Sequence, residues 1–256
     1  MSLMNRRDAV AAGAMLVSGA FVQSVALGGC SMSHQTTNLF TTEDLEDVSR
    51  TRGLRETDLS ALRAVADWTK TFVARPHRDL GRAGTVCPFV PTALEHNTLW
   101  LAPERSAGRS ASDVIQIVER YKNLLLQAEP RDGEGAKYKS ISVVFTDLPA
   151  AQAKDFFNAV LQQIGVSSYV DQGLVMGPFY DGNEGAAIYN PSFKPFTSPV
   201  PFLLMRGAVI SDWKFFLDDE DWLRRWAHRY GEAGALALAA QMRALAWRTR
   251  SDRATP

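Results

Sequence analysis

Four side chains in this sequence are of types, and stand in places, that would let them bind or orient a ligand. His77 lies in Arg75-Pro76-His77-Arg78, and a neutral imidazole suits iron. Cys87 lies in Val86-Cys87-Pro88-Phe89, and its thiolate would hold a heme iron tightly. Arg206 follows Phe202-Leu203-Leu204-Met205, where its fork fits a carboxylate or a propionate bidentately. Asn190 sits among aromatic residues as a polar group able to orient a ligand. Plainer readings stand beside these. His77, flanked by Arg75, Arg78 and Arg82, is solvated; Cys87 is a core-facing plug, as free cysteines usually are; Arg206 pairs with Asp212. If heme is bound, His77 is the expected axial ligand. A neutral imidazole needs no compensating charge, whereas a thiolate at Cys87 needs nearby donors or cations. Arg206 would then pair a propionate.

Motifs for several large enzyme classes are absent. No histidine stands at i,i+4 from another, so there is no zinc-protease signature. There is no cysteine pair for structural zinc, no Gly-x-Ser-x-Gly elbow and no phosphate loop ending in Gly-Lys-Ser/Thr. His228, in Arg224-Arg225-Trp226-Ala227-His228-Arg229, falls on a charged helix face and is expected to be solvated.

Two long irregular segments carry the four residues. Arg75 to Pro91 holds three prolines and two glycines, and Phe179 to Pro201 is rich in glycine, proline and aromatics. Loops of that length inside a domain are usually functional. Proline limits the entropy lost on ordering, so such loops can hold one shape. The expectation is that they face each other across one pocket, with apolar walls from Phe179, Tyr180, Tyr189, Phe193, Phe196 and Phe202.

The elements around the loops follow from periodicity. Three- and four-residue spacing predicts a helix from Thr57 to Pro76, a second over Ser112–Gln127 and a third over Ala150–Ile164. Strands are expected at Thr98–Leu101, Ser140–Phe145, Tyr169-Val170 with Leu174–Met176, and Phe202–Met205. The last third is helical, over Asp212–Tyr230 and Ala233–Trp247. This is an α+β domain: a four- or five-stranded sheet with packed helices and a helical C-terminal third. Val143, Phe145, Phe157, Leu203 and Trp226 are its expected core.

The N-terminus has a different character. Arg6-Arg7, a mildly apolar stretch and Leu27-Gly28-Gly29-Cys30 make up an export signal of twin-arginine type ending in a lipobox. The expected organisation is a signal over 1–29, a polar tether over 30–53 and one domain over 54–256. Cys30 is the lipidation site, and the location is periplasmic or otherwise extracytoplasmic, anchored to a membrane by lipid. With Cys30 lipidated, Cys87 has no partner for an internal disulfide. Beyond the signal, 26 basic and 27 acidic side chains leave a net charge of −1, no field for a nucleic-acid partner.

Longer stretches carry a resemblance. Arg75-Pro76-His77 with Asp79-Leu80-Gly81-Arg82, then Val86-Cys87-Pro88-Phe89-Val90-Pro91, Asn190-Pro191-Ser192-Phe193-Lys194-Pro195, Ser198-Pro199-Val200-Pro201 and Arg206 resemble an uncharacterised bacterial domain family. The likeness covers roughly Leu59 to Tyr230. More distantly, the chain is similar to the YqcI/YcgG family, which includes heme-dependent N-hydroxylases acting on arginine-like substrates. That resemblance implies a Cys-Pro element, a Val-Val-Phe-like strand, an aromatic loop and a closing Arg. Where it also implies a His-Pro pair, this chain has Asn190-Pro191. An iron would then fall to His77, Cys87 or His228, or no heme is bound.

Two functions are therefore expected from the sequence. One is an exported lipoprotein that is a heme-binding, oxygenase-like enzyme (an oxidoreductase) acting on a small amino-acid-like substrate. The other is a non-enzymatic envelope lipoprotein that binds a small apolar ligand or a protein partner.

Overall fold

The computed structural model describes residues 38–217 and 219–251, with side chains through Arg243. The expected export signal, Cys30 and the first part of the expected tether lie outside the described residues.

The sheet is built on two patterns of alternation. Its strands are β1 (Leu99–Glu104), β2 (Ser140–Phe145), β3 (Leu174–Phe179) and β4 (Phe202–Gly207), in the order β1-β2-β4-β3. β1 runs parallel to β2, and β4 runs antiparallel to both β2 and β3. Register pairs Val143 with Leu203 and Ile141 with Met205, so these side chains share one face. The opposite face carries Leu101, Ser142, Leu204 and Gly177 in one row and Leu99, Ser140, Arg206 and Val175 in the next. The first face is wholly apolar at its centre; the second mixes serine, glycine and arginine with its hydrophobic residues.

The helices are α1 (Val48–Thr51), α2 (Glu56–Trp68), α3 (Val90–Glu95), α4 (Ala111–Gln127), α5 (Gly133–Ala136), α6 (Ala150–Gln172) and α7 (Glu220–Ser251). α4 is the crossover between the parallel strands, opened by a capping box of Ser110 and Asp113. It packs with α6 on the apolar face through Val114, Val118, Tyr121, Phe157 and Val160. α2 covers the other face with Leu62, Val65 and Ala66, over Leu101, Val144 and Phe202. Val143, Phe145, Phe157, Leu203 and Trp226 are all buried, none more than 3 % exposed.

Several expected boundaries move, each for a local reason. The helix expected to reach Pro76 is regular only to Trp68; Thr69–Val73 forms a π-turn. Thr69 Oγ1 bonds the Val65 carbonyl and Thr71 Oγ1 the Asp67 carbonyl, each at 2.7 Å, which loosens the regular ladder. Tyr169-Val170 is helix, not strand, because α6 runs on to a left-handed Gly173. Arg229 bonds the carbonyls of Tyr169 and Val170 there, closing the helix end. The helix expected from Asp212 is a 3-10 turn, Ile210–Phe215, followed by α7, which is broken at Gly231 (φ 50°, ψ −131°).

The segment 38–53 also departs from the expected tether. Phe40 pairs its backbone with Leu101 on the outer edge of β1, and Leu45 is fully buried against α2. The folded domain therefore begins by Asn38, not at residue 54. One covered strand edge is what this early start supplies.

Candidate functional site

The π-turn is the hub that joins the two long loops. It presents Phe72 to His77, edge to face at 5.7 Å, while the Val73 carbonyl accepts from the Cys87 amide at 3.0 Å. Arg75 and Val86 are bonded in the same way, so the first loop doubles back as a short ribbon. The second loop lies directly on the first. Phe193 stacks on the His77 ring with centroids 4.6 Å apart, and Asn190 Nδ2 donates to the Asp79 carbonyl at 2.7 Å. Gly81, at φ 77°, lets the Tyr189 carbonyl come so close that a Cβ there would stand 2.6 Å from it. Tyr189 in turn accepts a bond from Gln241 on α7.

His77 and Asn190 thus meet at the loop junction. His77 Nδ1 and both polar atoms of the Asn190 amide are committed to holding it. His77 Nδ1 accepts from the Asp79 amide at 3.2 Å, capping a 3-10 turn over Arg78–Leu80. That bond assigns the neutral ring's proton to Nε2. Asn190 Oδ1 accepts from the Ser192 amide, closing an Asx turn.

Cys87 is half-buried in the first loop, while Arg206 lies on the mixed face of the sheet. Arg206 makes the ion pair named as its plainer reading. Its two terminal nitrogens meet the Asp212 carboxylate at 2.6 and 3.1 Å, and one also donates to the Gly207 carbonyl at 2.8 Å. The Arg206 side chain is 15 % exposed and Asp212 1 %. Burial works against the guanidinium's charge, but Asp212 outweighs it and raises Arg206 above its ordinary value; Cys87 and Tyr230 act in the same direction. Tyr230 is pushed up to about 12, first by burial and then by the Asp212 charge. Tyr169, buried beside these groups, has a hydroxyl without a hydrogen-bond partner among the described residues, and burial raises it too.

His77 and Arg206 are not disposed to hold a heme as expected. An iron at His77 Nε2 would need the ring proton moved to Nδ1, where the Asp79 amide already points. Arg206 has its fork on Asp212 rather than free for a propionate. Among the described residues, no group of three or more His, Cys, Asp or Glu side chains could hold a metal ion.

The same face does hold an opening of another kind. A Cβ built on Gly177 would meet nothing within 4 Å, and its row neighbour Leu204 is only half-buried. One wall is aromatic: Phe179 and Phe202 stack at 4.7 Å, and Trp68 stands edge-on to both at 5.9 Å. The other is the Arg206–Asp212 pair and the 3-10 turn that carries Asp212. Phe196 packs on Phe179 and reaches Phe215, at the end of that turn, so the second loop spans from one wall to the other. Gly177 and Leu204 carry no sequence signal of their own. The clue was a sheet face whose central rows read Ser, Leu, Gly and Ser, Arg, Val once register was known.

No curated protein and no solved structure matches the chain. The family model described as a domain of unknown function, DUF6875, matches residues 62–241, and it takes in both loops, the π-turn and all four strands. The chain belongs to that family.

Proposed function

We propose that this protein is a lipid-anchored binding protein of the cell envelope, whose ligand is a small, mainly apolar molecule held over Gly177 and Leu204. The observation that carries this reading is the open space above Gly177 on a sheet face otherwise covered by α2 and the aromatic wall. Leaving that space unfilled costs packing that a leucine or phenylalanine would supply, so a glycine there fits a site better than a core. The ion-paired Arg206, one row along the same face, is the polar group that orients a ligand. The Leu27-Gly28-Gly29-Cys30 lipobox and Arg6-Arg7 support the location.

The test is binding of an apolar fluorescent probe such as 1-N-phenylnaphthylamine to the protein and to Gly177→Phe, which fills the opening. Saturable binding that Gly177→Phe abolishes, with circular dichroism unchanged, is the expected result. Equal binding by both proteins sinks the site. Protein expressed with added heme precursor should show no Soret band; a stoichiometric band would restore the heme reading. Cys30→Ser should release the protein from the membrane fraction, and Lys at positions 6 and 7 should block its export.

A further inference from the structure

A second site stands at the opposite edge of the sheet, beyond the carboxyl ends of the parallel pair β1 and β2. A cleft of about 280 Å³ opens there, and its lining includes Arg55, Arg105 and Arg109 as well as the buried carboxylates Asp58 and Glu104. The crevice outside the carboxyl ends of parallel strands is where open α/β sheets place ligands.

The hydrogen bonding is lopsided. Each carboxylate has close partners other than these three arginines. Asp58 accepts from Thr146 Oγ1 at 2.6 Å; Glu104 accepts from the Tyr121 hydroxyl at 2.8 Å and from Arg120. Asp147, just behind, accepts from the Ser106 amide at 2.7 Å, the Ser106 hydroxyl at 3.0 Å and the Ala107 amide at 3.1 Å. The cleft arginines stand further off. Arg55–Asp58, Arg105–Asp58, Arg105–Asp147 and Arg109–Glu104 are all at 3.4 Å. Charge-assisted bonds made for their own sake close to roughly 2.7–2.9 Å. The carboxylates hold the guanidinium groups in place but leave most of their N–H donors without a partner among the described residues, with the side chains lining the cleft and 36–66 % exposed.

We infer that this cleft binds a small oxyanion-bearing ligand, a carboxylate or a phosphate, gripped by Arg55 and Arg109 and positioned by Arg105. Planar guanidinium forks match both oxyanions bidentately. The cleft volume lies at the small end of ligand pockets, which fits a compact polar molecule and not the apolar ligand of the other site.

Calorimetric titration of the whole protein with malonate and with inorganic phosphate, at ionic strength fixed with sodium chloride, tests this. One saturable site for either probe is expected, weakened about tenfold or more in Arg55→Gln and Arg109→Gln. Arg78→Gln, whose side chain is 92 % exposed in the first long loop, should bind as the parent does. Which probe binds identifies the oxyanion. The absence of saturable heat with both probes overturns the inference. So does binding that all three variants share equally, because that is an ion atmosphere and not a site. Gly177→Phe should leave this titration untouched, so failure here and failure of the apolar site are separable.

Discussion

At the scale of single residues, the strongest dependence is on the Arg206–Asp212 pair. Removing one partner leaves a buried charge without compensation, so Asp212→Ala should cost ~3–5 kcal/mol in denaturant unfolding. A comparable loss, also ~3–5 kcal/mol, is expected for Phe145→Ala, whose ring packs at 5.0 and 5.8 Å from Phe156 and Phe157. Tyr230 makes a pH-dependent contribution. Its folded value, about 12, lies above the ordinary 10.0, so the stability it adds is fully present below pH 10 and is lost as pH rises toward 12. Tyr230→Phe should flatten that part of a stability-against-pH curve, and an unchanged slope would place the titration elsewhere. Phe145 and Trp226 were legible as core because they recur with period. Asp212 was legible only as a charge six residues from Arg206. Gly177 was not, since an absent side chain has no pattern.

Among the elements, the loop pair and the β1–α4 connection are held by specific close contacts and should respond sharply to small changes. Gly81→Ala would add a Cβ against the Tyr189 backbone at a positive φ, whereas Gly182→Ala meets nothing within 4 Å. The second substitution should cost about 1–2 kcal/mol of backbone strain alone; the first should cost more and speed proteolysis of both loops. Equal costs would show that the loops do not lean on each other. In the β1–α4 connection, burial disfavours the Asp147 carboxylate, but the amides and hydroxyl of Ser106 and Ala107 and the charge of Arg105 win and lower its value. Its contribution is present above the ordinary 3.8 and lost as pH falls through the lower folded value, so Asp147→Asn should make acid unfolding less steep. The strands Ser140–Phe145 and Phe202–Met205 were readable because each is dominated by β-branched or apolar residues. Tyr169-Val170 misled for the same reason: both residues favour strands, yet α6 buries the tyrosine against Phe216 and Trp222. The arginines of the cleft went unread because they come from the residue that precedes α2 and from the β1–α4 loop, and only the fold brings them together.

For the molecule as a whole, the early start of the domain changes what can be removed. A chain beginning at Asn38 should fold like the full protein. One beginning at residue 54 loses Phe40 and Leu45 from the core and bares the β1 edge. At roughly 1.5–3 kcal/mol per buried side chain, the shorter chain should melt well below the longer one. Equal melting temperatures would return residues 38–53 to the status of tether. That segment was illegible in the sequence because two buried apolar side chains in a polar stretch make no period.

The strand order has a further consequence, for the time course of synthesis. β4 leaves the ribosome last, yet it is the strand that joins β3 to β2. Until Gly207 has emerged, β2 and β3 each present a bare edge toward a gap that nothing else in the described chain fills. Nascent chains stalled before Phe202 should therefore recruit holding chaperones and aggregate when released, whereas chains stalled far enough beyond Gly207 should not. Under the export proposed above, a system that moves folded cargo would have to wait for that closing strand.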